Sequence, residues 1–185
     1  NETFEIQLSN VVNAVASSSP GSITITDDDN EPSISISDNS TIDETAGTTN
    51  LDVAISAASE KTITIDYTTS DGTADAGSDY TAANGTITFA PGVTTQNIPV
   101  TILADTEDED NETISVSISN PSNVSINDGM GILSITDDDL PPSVSVDDLT
   151  TINEAAVNQN IVVRLSSPSQ KTVSVDYATS DGTAM

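Results

Sequence analysis

Cysteine, histidine and tryptophan are absent from the 185 residues, and lysine and arginine together number 3. Each absence removes a class of chemistry. Without cysteine there are no disulfides and no thiolate metal sites, so a small disulfide-stapled domain is excluded, although secretion is not. Without His or Cys the usual nucleophile and general-base pairs are missing, as are the ligands that transition metals recruit. Aromatics make up 3% of the chain, too few to line the cleft of a paired-carboxylate glycosidase. The expectation is that the chain is not an enzyme. No apolar run approaches the roughly 20 residues of a membrane-spanning helix, so no membrane insertion is expected of this segment. Thirty Asp and Glu set the formal net charge at −27, a field that repels polyphosphate and argues against nucleic acid as a partner.

What the sequence does contain is a repeat. ITDDD stands at 25–29 and again at 135–139, an offset of 110 residues. IDYTTSDGTA at 65–74 returns at the same offset as VDYATSDGTA at 175–184, and NETF at 1–4 as NETI at 111–114. Pro32 matches Pro142, SISIS at 33–37 matches SVSVD at 143–147, Glu44 matches Glu154 and Lys61 matches Lys171. No insertion is needed, which marks a tandem array of one unit. The register implies that the chain is cut from a longer array. It holds the C-terminal part of one repeat (1–29), a complete repeat (30–139) and the N-terminal part of a third (140–185). Neither incomplete piece is expected to fold well alone, and head-to-tail association between copies is one way to complete them.

Hydrophobic residues are 35% of the chain, so a core must be built from Ile, Val and Leu. Apolar and polar residues alternate at SISIS (33–37), LDVAIS (51–56), TITIDY (62–67), GTITF (85–89), IPVTIL (98–103), TISVSIS (113–119) and ILSIT (132–136). A period of two is the signature of strands with one buried face. Seven short strands per repeat predict an all-β, antiparallel, immunoglobulin-like sandwich. Turn signals separate the runs: DGTADAGSD (71–79), PG (91–92), NPSN (120–123) and NDG (127–129). Pro99 cannot donate to a ladder, which places its strand at an edge or on a bulge. DDDNEP (27–32) and DDDLPP (137–142) leave almost no linker, so neighbouring repeats should stack end to end as a semi-rigid rod.

The carboxylates of the complete repeat group at Asp43 and Glu44, at Asp71, at DTEDEDNE (105–112) and at Asp137–Asp139, mostly where apolar runs end. A sandwich gathers its loops at two ends, so several of these groups can converge on one. Converging negative charges either raise one another's pKa values or force the loops apart, and a hard cation resolves the conflict. Calcium takes roughly 6 to 8 oxygens in flexible geometry, and magnesium suits so carboxylate-rich a site less well. The alternative is a solvated acidic rim that holds no ion.

The ordered motifs P-x-[IV]-[ST]-[IV], TIDETAG, [IV]-D-Y-x-T-S-D-G-T-A, A-G-S-D-Y, G-T-I-T-F-x-P-G, E-D-N-E-T-I and I-T-D-D-D together resemble the Calx-beta domain. That family includes the calcium-sensing modules of sodium/calcium exchangers and repeats of bacterial surface proteins. The resemblance implies Ca²⁺ held between loops by Glu44, Asp71, Asp105, Glu109, Glu112, Asp137, Asp138 and Asp139, with Glu107 giving a backbone carbonyl. Ala104 and Thr106 flank Asp105 where exchanger members have consecutive aspartates, which implies fewer or weaker ions.

Other residues point to plainer roles. Tyr67 and Tyr177 read as strand residues that cap a core. Lys61 and Lys171 read as edge charges or as partners for the acidic surface. NST (39–41), NGT (84–86), NET (111–113) and NVS (123–125) are glycosylation triplets that arise easily in so Asn- and Ser/Thr-rich a chain. The expected function is a calcium-binding structural module of a large extracellular adhesin or matrix protein, secreted or at the cell surface. Its expected partners are calcium ions, neighbouring repeats, and cell-surface or matrix glycans or proteins. A calcium-sensing regulatory domain and an acidic carbohydrate-binding module are the alternatives.

Overall fold

A computed structural model describes residues 1–18, 20–148, 155, 158–180 and 182. Glu154 and Asp181, the counterparts of Glu44 and Asp71 in the third repeat, lie outside the described residues. The chain forms two compact units, Asn1–Glu31 and Pro32–Met185.

In the first unit, β1 (Glu2–Ile6) pairs antiparallel with β2 (Gly21–Ile25), placing Glu2 opposite Ile25. Phe4, Ile6, Ile23 and Ile25 are exposed in this lone pair.

The second unit begins with β3 (Ser33–Ile36), β4 (Asn39–Asp43), a 3₁₀ turn at Glu44–Ala46, and β5 (Thr48–Ile55). It continues with β6 (Ile63–Asp71), β7 (Tyr80–Thr81), β8 (Asn84–Phe89) and β9 (Thr95–Ile102). β10 (Glu112–Ser122), β11 (Ser125–Asp128) and β12 (Met130–Thr136) complete two five-stranded sheets, ordered β4-β12-β10-β6-β8 and β11-β3-β5-β9-β7. Beyond them, β13 (Val144–Val146) pairs with β14 (Val163–Leu165).

Alternation sets which face is buried. Ile63, Ile65, Ile87, Phe89, Ile114, Val116, Ile118, Leu133 and Ile135 point inward from the first sheet. Ile34, Ile36, Leu51, Val53, Ile55, Ile98, Val100 and Ile102 meet them from the second in one core, with Tyr80 and Phe89 its largest fully buried side chains. All seven alternating segments are strands. β4, β7 and β11 were not signalled, because β7 has two residues and every residue of β11 is exposed, so neither shows an apolar period. β4 and β11 are also the strands that pair parallel, with β12 and β3. Pro99 lies opposite Asn50 of β5, and on its other side β7 reaches only Thr101 and Ile102. The proline therefore occupies a stretch that is locally an edge, where a missing N–H breaks no ladder.

The repeat is visible in the pairing itself. Glu2↔Ile25 of β1 and β2 has the register of Glu112↔Ile135 of β10 and β12, and Val144↔Leu165 has that of Ile34↔Ile55.

Candidate metal centre

The acidic groups meet at one end of the sandwich because of where the strands start and stop. β4 leads into the 3₁₀ turn, whose N-cap Asp43 accepts from Thr45 N at 2.9 Å. Gly47, at φ +71°, turns the chain into β5, and its carbonyl accepts from Ile102 N at 2.8 Å. A positive φ suits glycine because no Cβ is present to clash. Glu44 is thereby buried beside the segment that leaves β9, and its Oε1 accepts from Asp105 N at 2.7 Å. Asp105 in turn accepts from Glu107 N at 2.7 Å. β6 ends at Asp71, and the next turn packs on β10, with Thr73 N and Ala74 N both donating to Thr113 O at 3.1 Å. A Cβ on Gly72 would stand 2.4 Å from that carbonyl oxygen, so glycine is required there.

Two trios of carboxylates result, each with oxygens within 4.8 Å of one another. One is Glu44, Asp105 and Asp139; the other is Asp79, Glu109 and Glu112. A single cleft is lined by residues of both, together with Leu103, Asp110, Ile135 and Asp137. Asp137 braces them: its carboxylate accepts from Glu109 N at 3.1 Å and from Asp139 N at 3.2 Å. Asp27 accepts from Asp29 N at 3.2 Å in the first unit, which repeats this local turn.

Burial raises the Glu44 carboxyl above its ordinary range, against the Asp105 amide that lowers it. Burial, followed by the charge of Asp79, pushes Glu109 up to about 7 and Glu112 up to about 8. Asp139 is raised by burial and then by Asp138 and Asp137. Mutual repulsion in a desolvated space has this consequence: protonation relieves it in the absence of a cation.

Of the sequence-predicted ligands, Glu44, Asp105 and Asp139 come together, Glu109 and Glu112 come together, and Asp137 lines the cleft between them. Asp71, Glu107 and Asp138 are in neither trio. Asp71 Oδ1 instead accepts from Tyr80 Oη at 2.6 Å and from Ala76 N at 3.1 Å. Asp79 is the member that sequence reasoning passed over. It sits within DGTADAGSD, which reads as a turn, and only its place in A-G-S-D-Y beside a buried Tyr hinted at more.

One oxygen in each trio tests whether an ion fits. Asp79 Oδ1 and Asp139 Oδ2 are buried and have no hydrogen-bond partner. Buried polar atoms are normally paired, and an unpaired carboxylate oxygen aimed among other carboxylates is what a cation would satisfy. The donor set is oxygen alone, which suits a hard ion such as calcium.

Comparison with known proteins agrees with this geometry. The Calx-beta domain family matches residues 27–139 and again 137–185. The chain belongs to the Calx-beta domain family. Sodium/calcium exchanger 2 of Mus musculus is 31% identical over 163 residues, covering 76% of this chain and 17% of the exchanger. Sodium/calcium exchanger 1 of Canis lupus familiaris is 32% identical over 143 residues, covering 66% of this chain and 15% of its own length. Only a small part of either exchanger is therefore represented here. Among solved structures, the apo form of the Calx CBD1 domain superposes with a TM-score of 0.56 at 26% identity, covering 60% of this chain and all of that one. The calcium binding domain CBD12 of CALX1.1 gives 0.56 at 26% identity, covering 66% and 53%. The all-β sandwich is thus that of calcium-binding Calx-beta domains.

These relatives correct one expectation. They are sodium/calcium exchangers and Calx calcium-binding domains, and this overturns the extracellular or cell-surface location. The physical reason is that acidity and missing cysteine serve an ion-binding Calx-beta domain in any compartment, and composition carried no address. These relatives do not show the adhesin setting either.

Proposed function

We propose that this chain is a non-catalytic, calcium-binding module of a tandem Calx-beta array, in which ions at the acidic end of one domain order its loops and stiffen its junction with the next. The supporting observation is the pair of orphaned buried oxygens, Asp79 Oδ1 and Asp139 Oδ2, one in each carboxylate trio. In this reading Glu44, Asp105 and Asp139 hold one ion and Asp79, Glu109 and Glu112 a second. Asp137 stands between them, Asp138 and the Glu107 carbonyl are available at the rim, and Asp71 positions the loop. The boundaries 1–29, 30–139 and 140–185 are supported by the equal strand registers at a 110-residue offset. Calcium and neighbouring repeats are the only partners this reading requires.

A second reading, a regulatory calcium sensor, is favoured by the similarity to exchangers. The two separate in solution: a stiffening module gains stability from calcium with little change in shape, whereas a sensor changes shape.

The test is a calcium titration of the full chain by calorimetry, with melting followed in parallel. Heat of binding, and a melting temperature raised by calcium and not by magnesium, are expected. Melting that tracks total salt and ignores calcium would return the acidic end to a solvated rim.

A further inference from the structure

The apolar residues of β1 and β2 are exposed, and the complete repeat shows what covers their counterparts. At the 110-residue offset Phe4 and Ile6 correspond to Ile114 and Val116 of β10. Phe4 is 48% exposed and Ile6 50%, whereas Ile114 and Val116 are both at 0%. In the complete repeat β10 pairs antiparallel with β6, which sets Ser115 opposite Ser70 and Val116 opposite Thr69. The counterpart of residues 63–70 of β6 is the stretch 173–180. There Val173 and Val175 are 42% and 57% exposed, whereas Ile63 and Ile65 are at 1% and 0%.

Two glycines point the same way. A Cβ on Gly72 would stand 2.4 Å from Thr113 O and one on Gly131 2.7 Å from Ser37 O, because backbone from a pairing segment passes there. Their counterparts, Gly182 and Gly21, have nothing within 4 Å of that position. Yet the counterparts of Thr113 and Ser37, which are Thr3 and Asp147, both belong to this chain. Each half of a strand pairing seen in the complete repeat is therefore present and open, one in the first unit and one in the second.

We propose that copies of this chain associate head to tail, β1 of one copy pairing antiparallel with residues 173–180 of another. The register is that of β10 on β6, so Glu5 lies opposite Ser180 and Ile6 opposite Thr179. Burial of the exposed apolar side chains and pairing of open strand edges drive the association. Two different surfaces meet, so assembly continues into open chains or closes into rings. A net charge of −27 on each copy opposes it, and salt therefore strengthens it. The inference rests on the repeat register used above and not on ion binding.

The chain has no cysteine, so introduced thiols report on single positions. Full-length Glu5→Cys and Ser180→Cys are mixed in equal amounts in chelator and about 1 M sodium chloride, where the Debye length is about 3 Å, and then oxidised. Directly opposed residues of an antiparallel pair have Cα atoms about 4.5–5.5 Å apart, within reach of a disulfide. A mixed dimer is expected in about tenfold excess over that from Glu5→Cys with Asp176→Cys, which is four residues out of register. Light scattering should show a mass that rises with concentration to two chains or more. Ile6→Asp, which sets a charge in the face to be covered, should raise the concentration for half association more than about tenfold. Equal yields from the two mixtures, a predominance of like-with-like dimers, or the mass of one chain at every concentration would overturn the proposal. Because chelator is present throughout, a chain that binds no calcium defeats the ion reading and still gives this result.

Discussion

Tyr80 Oη donates to Asp71 Oδ1 at 2.6 Å across the loop that carries Asp79 into the carboxylate-lined cleft. One aspartate fixes the loop and the other faces the carboxylates of the cleft. Burial and then Asp71 push the Tyr80 hydroxyl up to about 12, so it remains a donor throughout the physiological range. Tyr80→Phe should therefore lower stability by about 1 kcal/mol, the usual net value of one hydrogen bond. Urea denaturation would read this loss, with calcium affinity falling less than in Asp79→Asn.

Asp79→Asn and Glu112→Gln should move stability and affinity in opposite directions. Above about pH 8, where Glu112 is ionised, each removes a negative charge from a trio, which relieves repulsion in the ion-free chain and raises its melting temperature. Each also removes a ligand, so the rise produced by calcium should shrink or vanish. Melting with chelator and with calcium checks both signs.

Glu109 and Glu112 set the pH dependence. Their values in the fold, about 7 and about 8, lie above the ordinary 4.5, so the folded chain holds protons that the unfolded chain has lost. In the ion-free protein, stability is then greatest below about 4.5 with respect to these groups, and it falls as pH rises towards about 8. Calcium needs both carboxylates ionised, so its affinity should increase over pH 6 to 8 and its binding should release protons. Calorimetry in buffers of different ionisation enthalpy would detect the release; its absence would argue against these two residues as ligands.

Calcium at roughly a hundred times its dissociation constant should stabilise the fold by about 2.7 kcal/mol for one site. Sodium chloride at matched ionic strength screens exposed charge but leaves the buried trios unpaired, so it should give a smaller rise. Differential scanning calorimetry separates the two.

Leu133→Ala, in a fully buried position of β12, should cost about 2–5 kcal/mol through lost burial and the cavity left behind. Because Leu133 precedes the aspartate run by only a few residues, calcium should recover part of the loss. Chemical denaturation with and without calcium measures this coupling.

Much of the domain was legible in one dimension. Alternation at Leu51–Ile55 or Ile114–Ile118 reports burial directly, because side chains on a strand change face at every residue. The 110-residue offset carried over into identical pairing registers in β1 and β2 and in β10 and β12. β7 and β11 were not legible, since two residues or four exposed ones have no period to read. Within the candidate site, Glu44, Asp105 and Asp139 could be named from motifs, yet their grouping apart from Glu109 and Glu112 could not.

By itself the sequence determined the seven alternating strands, their inward faces, the repeat length and the oxygen-only chemistry, because each is a matter of local pattern or composition. Only the tertiary structure decided which acids meet. Asp71 and Asp79 are both aspartates in the same polar loop, and Asp108 and Glu109 are adjacent. Which is tied to tyrosine or lysine, and which is left facing other carboxylates, depends on side chains brought from distant parts of the chain.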